Sequence, residues 1–263
     1  MDLELIGRRA FVSGSTQGIG YAVARGLAAE GASVVLNGRD SARLDAAVER
    51  LRDEVQGADV AGVAADFSDP VQVTRLLDEL GQVDVLVNNV GVFEVAAFDD
   101  ITDEAWQTYL DVNLMSAVRL SRRLLPVMLE RGWGRVVMVS SESGVNVPAD
   151  MVHYGVTKAA MIALGNGLPK RTKGTGVTVN TVLGGPTFSD GVASAVGGLA
   201  AQWGVDVDAV KSQIAGAHPT SLLGRFLEPD EVAHLVTYLA SPLASATNGA
   251  ALRADGGALT TLT

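Results

Sequence analysis

Arg9-Ala10-Phe11-Val12-Ser13-Gly14-Ser15-Thr16-Gln17-Gly18-Ile19-Gly20 reads as a short apolar strand running straight into a glycine loop. An alanine-rich helical pattern follows over residues 21–30. Strand, glycine loop and helix in that order make a context in which a loop binds phosphate. Glycines allow the tight turn and close backbone approach, and the helix start presents unpaired N–H groups and the positive end of its dipole. The spacing is G-x-x-x-G-x-G rather than the general G-x-G-x-x-G of dinucleotide sites. A glycine-rich turn with no ligand is the other reading of the isolated motif.

Outward from this loop the pattern repeats. Ser33-Val34-Val35-Leu36-Asn37, Val60-Ala61-Gly62-Val63-Ala64, Val83-Asp84-Val85-Leu86-Val87 and Arg135-Val136-Val137-Met138-Val139-Ser140 are strands two to five. Helical stretches at 42–55, 70–80 and 103–130 separate them, the second capped by Asp69 with Pro70 in its first turn. Pro126 should bend or weaken the end of the third. Gly176-Val177-Thr178-Val179-Asn180-Thr181-Val182 is strand six, and Gly249-Ala250-Ala251-Leu252-Arg253 the last. Strands alternating with helices of ten or more residues mean βαβ units, a parallel sheet and right-handed crossovers. No linker or repeat breaks the chain, so residues 1–263 read as one domain.

Two stretches fit the pattern less well. A helix from Tyr154 toward Arg171 meets Gly165-Asn166-Gly167-Leu168-Pro169, which predicts a kink or early end near Gly165. Residues 186–223 are the least regular, with a weak helix over 206–214, and suit a substrate-covering insertion.

Aromatic residues make up only 5% of the chain, so the core must be mainly Val, Leu, Ile and Ala, as suits strands covered on both faces. The net charge of −10, with no Lys/Arg-rich run, argues against nucleic acid as a partner. With no cysteine, disulfides, thiolate catalysis and Cys-ligated zinc are excluded. His153, His218 and His234 are too dispersed to suggest a metal site, so a metal-dependent lyase or hydrolase has little support. Met1-Asp2-Leu3-Glu4-Leu5 lacks a signal-peptide pattern and no window is apolar enough to span a membrane, so a cytoplasmic protein is expected.

His153-Tyr154-Gly155-Val156-Thr157-Lys158 places a phenol and an ammonium four residues apart, on one face if the stretch is helical. The positive charge favours the phenolate and would lower the tyrosine pKa toward the range of a general acid or base. At the end of strand two, Gly38-Arg39 offers no carboxylate for a ribose, and a guanidinium suits a 2′-phosphate. NADP(H) is thereby favoured over NAD(H). Asp40 either opposes that preference or, with Ser41, caps the next helix.

Taken in order, the Gly14 to Gly20 loop, Asp66, Asn88-Asn89-Val90-Gly91, Asn113, Ser141, Tyr154 and Lys158 resemble the short-chain dehydrogenase/reductase family over nearly the whole chain. The resemblance implies a Rossmann-type doubly wound sheet of seven parallel strands, order 3-2-1-4-5-6-7, with helices on both faces. It implies an NAD(P)(H)-dependent oxidoreductase interconverting a carbonyl and a secondary alcohol. Tyr154 would be the general acid/base, and Lys158 would lower its pKa and hold the nicotinamide ribose. Ser141 would bind the substrate carbonyl, while Ser140 faces packing or backbone. Asn113 would hold a water that links Lys158 to solvent; the alternative is an amide bonding nearby backbone.

Cofactor contacts would come from Gly14, Ser15, Thr16, Gln17, Gly18, Ile19 and Gly20 at the pyrophosphate, Arg39 at the 2′-phosphate and Asp66 with Phe67 at the adenine. Asn89 and Gly91 would lie near the adenosine ribose, and Gly185 and Thr187 near the nicotinamide. The partners implied are a small carbonyl or alcohol substrate, either 3-oxoacyl or sugar/polyol in kind, and further copies of the chain in a homotetramer or homodimer.

Three positions depart from the family pattern: Val90 for alanine, Thr157 for serine and Gly184 for proline, the last expected to loosen the loop after strand six. A catalytically silent dinucleotide-binding sensor or scaffold of the same fold is the competing reading.

Overall fold

A computed structural model of the protein describes residues 2–216 and 220–261. Seven strands form one sheet in the order β3-β2-β1-β4-β5-β6-β7, every neighbouring pair parallel. They are β1 (Arg9–Val12), β2 (Ser33–Gly38), β3 (Val60–Ala64), β4 (Val85–Asn88), β5 (Trp133–Ser141), β6 (Gly176–Gly184) and β7 (Ala251–Ala254). The order implied by the family resemblance is the order observed.

Alternation along the strands divides the core into two layers. On one face, Ala10, Val12, Val137 and Val139 pack against α1 (Gly18–Ala29), α2 (Ser41–Glu54) and α9 (Pro229–Ala240). On the other, Phe11, Val136 and Met138 pack against α3 (Pro70–Leu80), α5 (Ser116–Glu130) and α6 (Val152–Gly167). Each side chain of this size taken out of water contributes about 1.5–3 kcal/mol, and both faces of the central strands contribute. All strands point the same way, so their carboxyl ends line one edge of the sheet.

Two expectations are corrected and one is met. The stretch 103–130 is not one helix weakened at Pro126. It comprises α4 (Asp103–Tyr109), a π-helical turn Leu110–Met115 and α5, which runs four residues past Pro126. The early end expected near Gly165 is observed: α6 stops at Gly167, two residues on, and the chain tightens into a 3-10 turn over Leu168–Thr172, with Pro169 at its start. Gly165 belongs in that helix because a Cβ there would lie 2.0 Å from Thr181 Oγ1, so close packing on β6 requires it. Gly184, finally, does not sit in a loosened loop. It ends β6, in register with Ser141 on one side and Ala254 on the other.

The insertion after β6 is also more regular than its pattern suggests. It holds α7 (Asp190–Trp203), capped by Ser189 and ended by Gly204 in the left-handed conformation, and α8 (Val207–Gly216). Val196, Ala200 and Val210 form a small apolar centre between them. A parallel bridge between Thr187 and Leu227 anchors its base. No helix among the described residues is long and apolar enough to cross a membrane. His218 lies outside the described residues.

Candidate active site

The glycine loop leaves β1 strapped to its neighbours. Ser13 Oγ accepts from the N–H groups of Asn89 (2.9 Å) and Val90 (3.1 Å). Ser15 is fully buried, its hydroxyl donating to Val12 O (2.7 Å) and accepting from the Asn37 N–H (2.9 Å). Its own N–H reaches Asn37 O, so Ser15 braces the loop and does not face the cleft as expected. Asn89 does similar work: both its amide hydrogens go to loop carbonyls, Ser13 O at 3.0 Å and Gly14 O at 2.8 Å. A Cβ on Gly20 would lie 2.3 Å from Gly14 O, and one on Gly14 would lie 2.9 Å from Val90 Cα. The loop is thus closed tightly enough to exclude side chains at both positions.

Outside this loop lies a cleft of about 280 Å³ that brings together Gly14, Thr16, Gln17, Arg39, Asp66 and Gly91. Arg43 also lines it, a residue that the sequence reading missed. The available signal was its place in the first turn of α2, just after Arg39 and the Asp40 cap. Asp40 caps α2 by accepting from the Arg43 N–H at 2.9 Å, and it also lines the cleft beside Arg39. Asp66 accepts from the N–H and hydroxyl of Ser68. Phe67 lines the cleft as well, with its ring buried in the core and its carbonyl accepting from Arg119.

Gly18 begins α1 with φ +59°, and Gln17 before it supplies no capping side chain. The Gly18 N–H instead donates to Asp190 Oδ2 at 2.7 Å. An oxyanion therefore already occupies the helix start, and the donor suits a phosphate oxygen equally well.

At the other end of the edge, α6 presents Tyr154 and Lys158 side by side, with Lys158 Nζ 5.6 Å from the centre of the phenol ring. Lys158 is almost fully buried and donates to Val139 O at 3.0 Å. Ser141, at the end of β5, is also buried, and Ser140 donates its hydroxyl to Lys158 O at 2.8 Å. The π turn aims Asn113 into this group. Asn113 Oδ1 accepts from the Val92 N–H (2.8 Å), and Nδ2 donates to Val92 O (3.0 Å) and Thr157 Oγ1 (3.1 Å). A Cβ on Gly91 would lie 3.4 Å from Asn113 Oδ1 and 3.5 Å from Lys158 Nζ, so both groups converge on that glycine. Gly185 is equally confined, its absent Cβ 2.6 Å from Asp255 O, and Thr187 Oγ1 donates to Gly185 O at 2.9 Å.

Charge in this group is set chiefly by burial. Desolvation pushes the Tyr154 phenol up to about 12; Ser141 pulls it down by hydrogen bonding and the Glu142 carboxylate adds to the rise. Burial lowers Lys158 to about 8. The expectation that the ammonium would lower the phenol is therefore not met here: lost hydration sets the shift, and the lowering comes from Ser141 instead. His153 turns away from the group, buried against Tyr109 with ring centres 3.9 Å apart.

The family model described as short chain dehydrogenase matches residues 8–197. The chain belongs to the short-chain dehydrogenase family. Among curated relatives, it is 44% identical to the uncharacterized oxidoreductase YvrD of Bacillus subtilis (strain 168), over 100% of both chains. It is 34% identical to D-beta-hydroxybutyrate dehydrogenase of Cupriavidus necator, covering 96% of this chain and 98% of that one. Its fold superposes on L-sorbose reductase from Gluconobacter frateurii, solved with NADPH and L-sorbose, with a TM-score of 0.94, 32% identity and full coverage of both chains. As a short-chain dehydrogenase the protein is an oxidoreductase of Rossmann fold.

Proposed function

We propose that the protein is an NADP(H)-dependent reductase of ketones, acting at Ser141, Tyr154 and Lys158. The observation that carries this reading is the convergence of Tyr154, Lys158 and Asn113 at the same sheet edge as the Arg39 cleft. A bound nicotinamide supplies the hydride. Ser141 and Tyr154 hold the carbonyl oxygen by hydrogen bonds, and Tyr154 gives its proton to that oxygen as charge develops there. A phenol held at about 12 is protonated at neutral pH and so is in the form that can give a proton to the carbonyl oxygen. Lys158, with a pKa of about 8, remains mainly cationic at neutral pH, stabilises the phenolate left behind and holds the ribose hydroxyls. Asn113, held by Val92 and Thr157, has one Oδ1 lone pair left to orient a water from which Tyr154 would be reprotonated through Lys158.

Arg39 and Arg43 would hold a 2′-phosphate, supporting NADP(H) over NAD(H). Beside the phenol, Phe93 packs edge-on to Tyr154 with ring centres 6.4 Å apart and is 45% exposed. Exposed Val145 and Val147 follow the turn after β5. These side chains support a substrate flanked by carbon of low polarity, 3-oxoacyl in kind rather than a polyol. The insertion 186–223 serves as cover, and the reading includes a cytoplasmic homotetramer or homodimer.

The test is a fluorescence titration with NADPH and NADH, followed by a panel of 3-oxoacyl thioesters and keto sugars with whichever binds. Turnover with NADPH on the apolar ketones supports the reading. Absence of turnover across the panel, with Tyr154→Phe indistinguishable from wild type, would sink it.

A further inference from the structure

We propose that Asp190 is a built-in competitor of the cofactor's pyrophosphate, a carboxylate latch that ties the substrate cover to α1 until the dinucleotide displaces it. This rests on the dinucleotide reading above. Five helices carry a local cap: α2 from Asp40, α3 from Asp69, α4 from Thr102, α7 from Ser189 and α9 from the Glu228–Glu231 capping box. The start of α1 has none, and no acidic residue in its own first turn. Its first N–H is met instead by a carboxylate 172 positions away in the chain. The same contact brings Ser189 Cβ to 3.4 Å from where a Gly18 Cβ would stand, so the first turn of α7 lies directly on the glycine loop.

The latch also reaches the catalytic end. A Cβ on Gly191, next to Asp190, would lie 3.7 Å from the Phe93 ring, and Phe93 is the ring set edge-on to Tyr154. The first turn of α7 therefore bridges the phosphate-binding loop and the wall beside the phenol. A pyrophosphate at this helix start needs the N–H that Asp190 holds, and the two anions compete for that one donor while repelling each other at contact distance. Arrival of the dinucleotide must turn Asp190 out. That frees the start of α7, and Gly191 with it, from the loop and from Phe93.

The device separates two costs that a simple binding site would combine. Part of the cofactor's interaction with α1 goes into replacing Asp190, so affinity is lower than the loop alone would give. In return, the cover's position reports whether cofactor is bound.

The experiment compares wild type, Asp190→Asn, Asp190→Ala and Asp190→Glu by NADPH titration, with amide hydrogen exchange over 190–203 measured with and without NADPH. Removing the charge should tighten NADPH about 3- to 30-fold in both neutral variants, while Asp190→Glu stays close to wild type. In wild type, exchange in α7 should rise when NADPH is added. In the neutral variants it should already be raised without it. NADPH affinity unchanged or weakened in both neutral variants, or α7 exchange indifferent to NADPH in wild type, overturns the latch alone. Binding by none of the four proteins overturns the dinucleotide reading as well.

Discussion

Asn113 donates its side-chain amide to Thr157 Oγ1 at 3.1 Å, and that hydroxyl donates in turn to the carbonyl of Tyr154 at 2.7 Å. Thr157 is fully buried, so the link runs between two helices without water. Thr157→Val keeps the shape but leaves one Asn113 N–H without its acceptor, which costs about 1–2 kcal/mol. Turnover should fall roughly tenfold, and Thr157→Ser should restore it. Steady-state kinetics of the two variants checks this; equal losses in both would mean that the methyl matters and the hydroxyl does not.

Tyr154→Phe removes the proton donor and little else. Positioned general acids contribute about 10²–10⁴-fold, so turnover should drop by that amount while NADPH affinity stays within a few-fold of wild type. A sensor or scaffold would keep its biological readout in this variant.

Arg39→Ala and Arg43→Ala should each weaken NADPH by about one to two orders of magnitude, the range expected for a charge-assisted contact. NADH should be hardly affected by either. Titrations with both dinucleotides separate a 2′-phosphate clamp from a general loss of the cleft.

Lys158 is buried, and its pKa falls from 10.5 to about 8 on folding. Between those values the unfolded chain binds the proton that the folded chain has released, so stability should rise as pH increases from about 8 to 10.5. Lys158→Met removes this dependence and should stabilise the fold at pH 7 by about 1–3 kcal/mol, read from urea unfolding at several pH values. The same ionisation predicts that reductive turnover declines above about pH 8, where the cation is lost.

Gly165→Ala places a methyl 2.0 Å from Thr181 Oγ1 and should destabilise by about 1–3 kcal/mol. Thr181→Ala in the same chain should recover much of that loss. Thermal unfolding of the two single variants and the double variant tests the contact as a cycle.

The sheet was legible because a buried parallel strand writes itself as an unbroken apolar run, as in Val136-Val137-Met138-Val139. The strand ends then gave Ser141 and Asp66 their places. What could not be read was decided by contacts between distant residues. Gly165 looks like a helix breaker until Thr181 is set against it. Ser15 looks like a ligand contact until Asn37 takes its hydroxyl and N–H. The glycines of 186–223 hid α7, although Ser189 and Gly204 mark its two ends. Arg43 reads as an ordinary surface charge until the cleft forms beside it.

The π turn at Leu110–Met115 makes the length of this stretch a functional quantity. One more residue per loop of helix shifts everything on one side by about 100° relative to the other. Deleting a single residue there would give a straighter and more regular rod. It would also swing Asn113 away from Val92 and Thr157, so the chain would gain regularity and lose its aim.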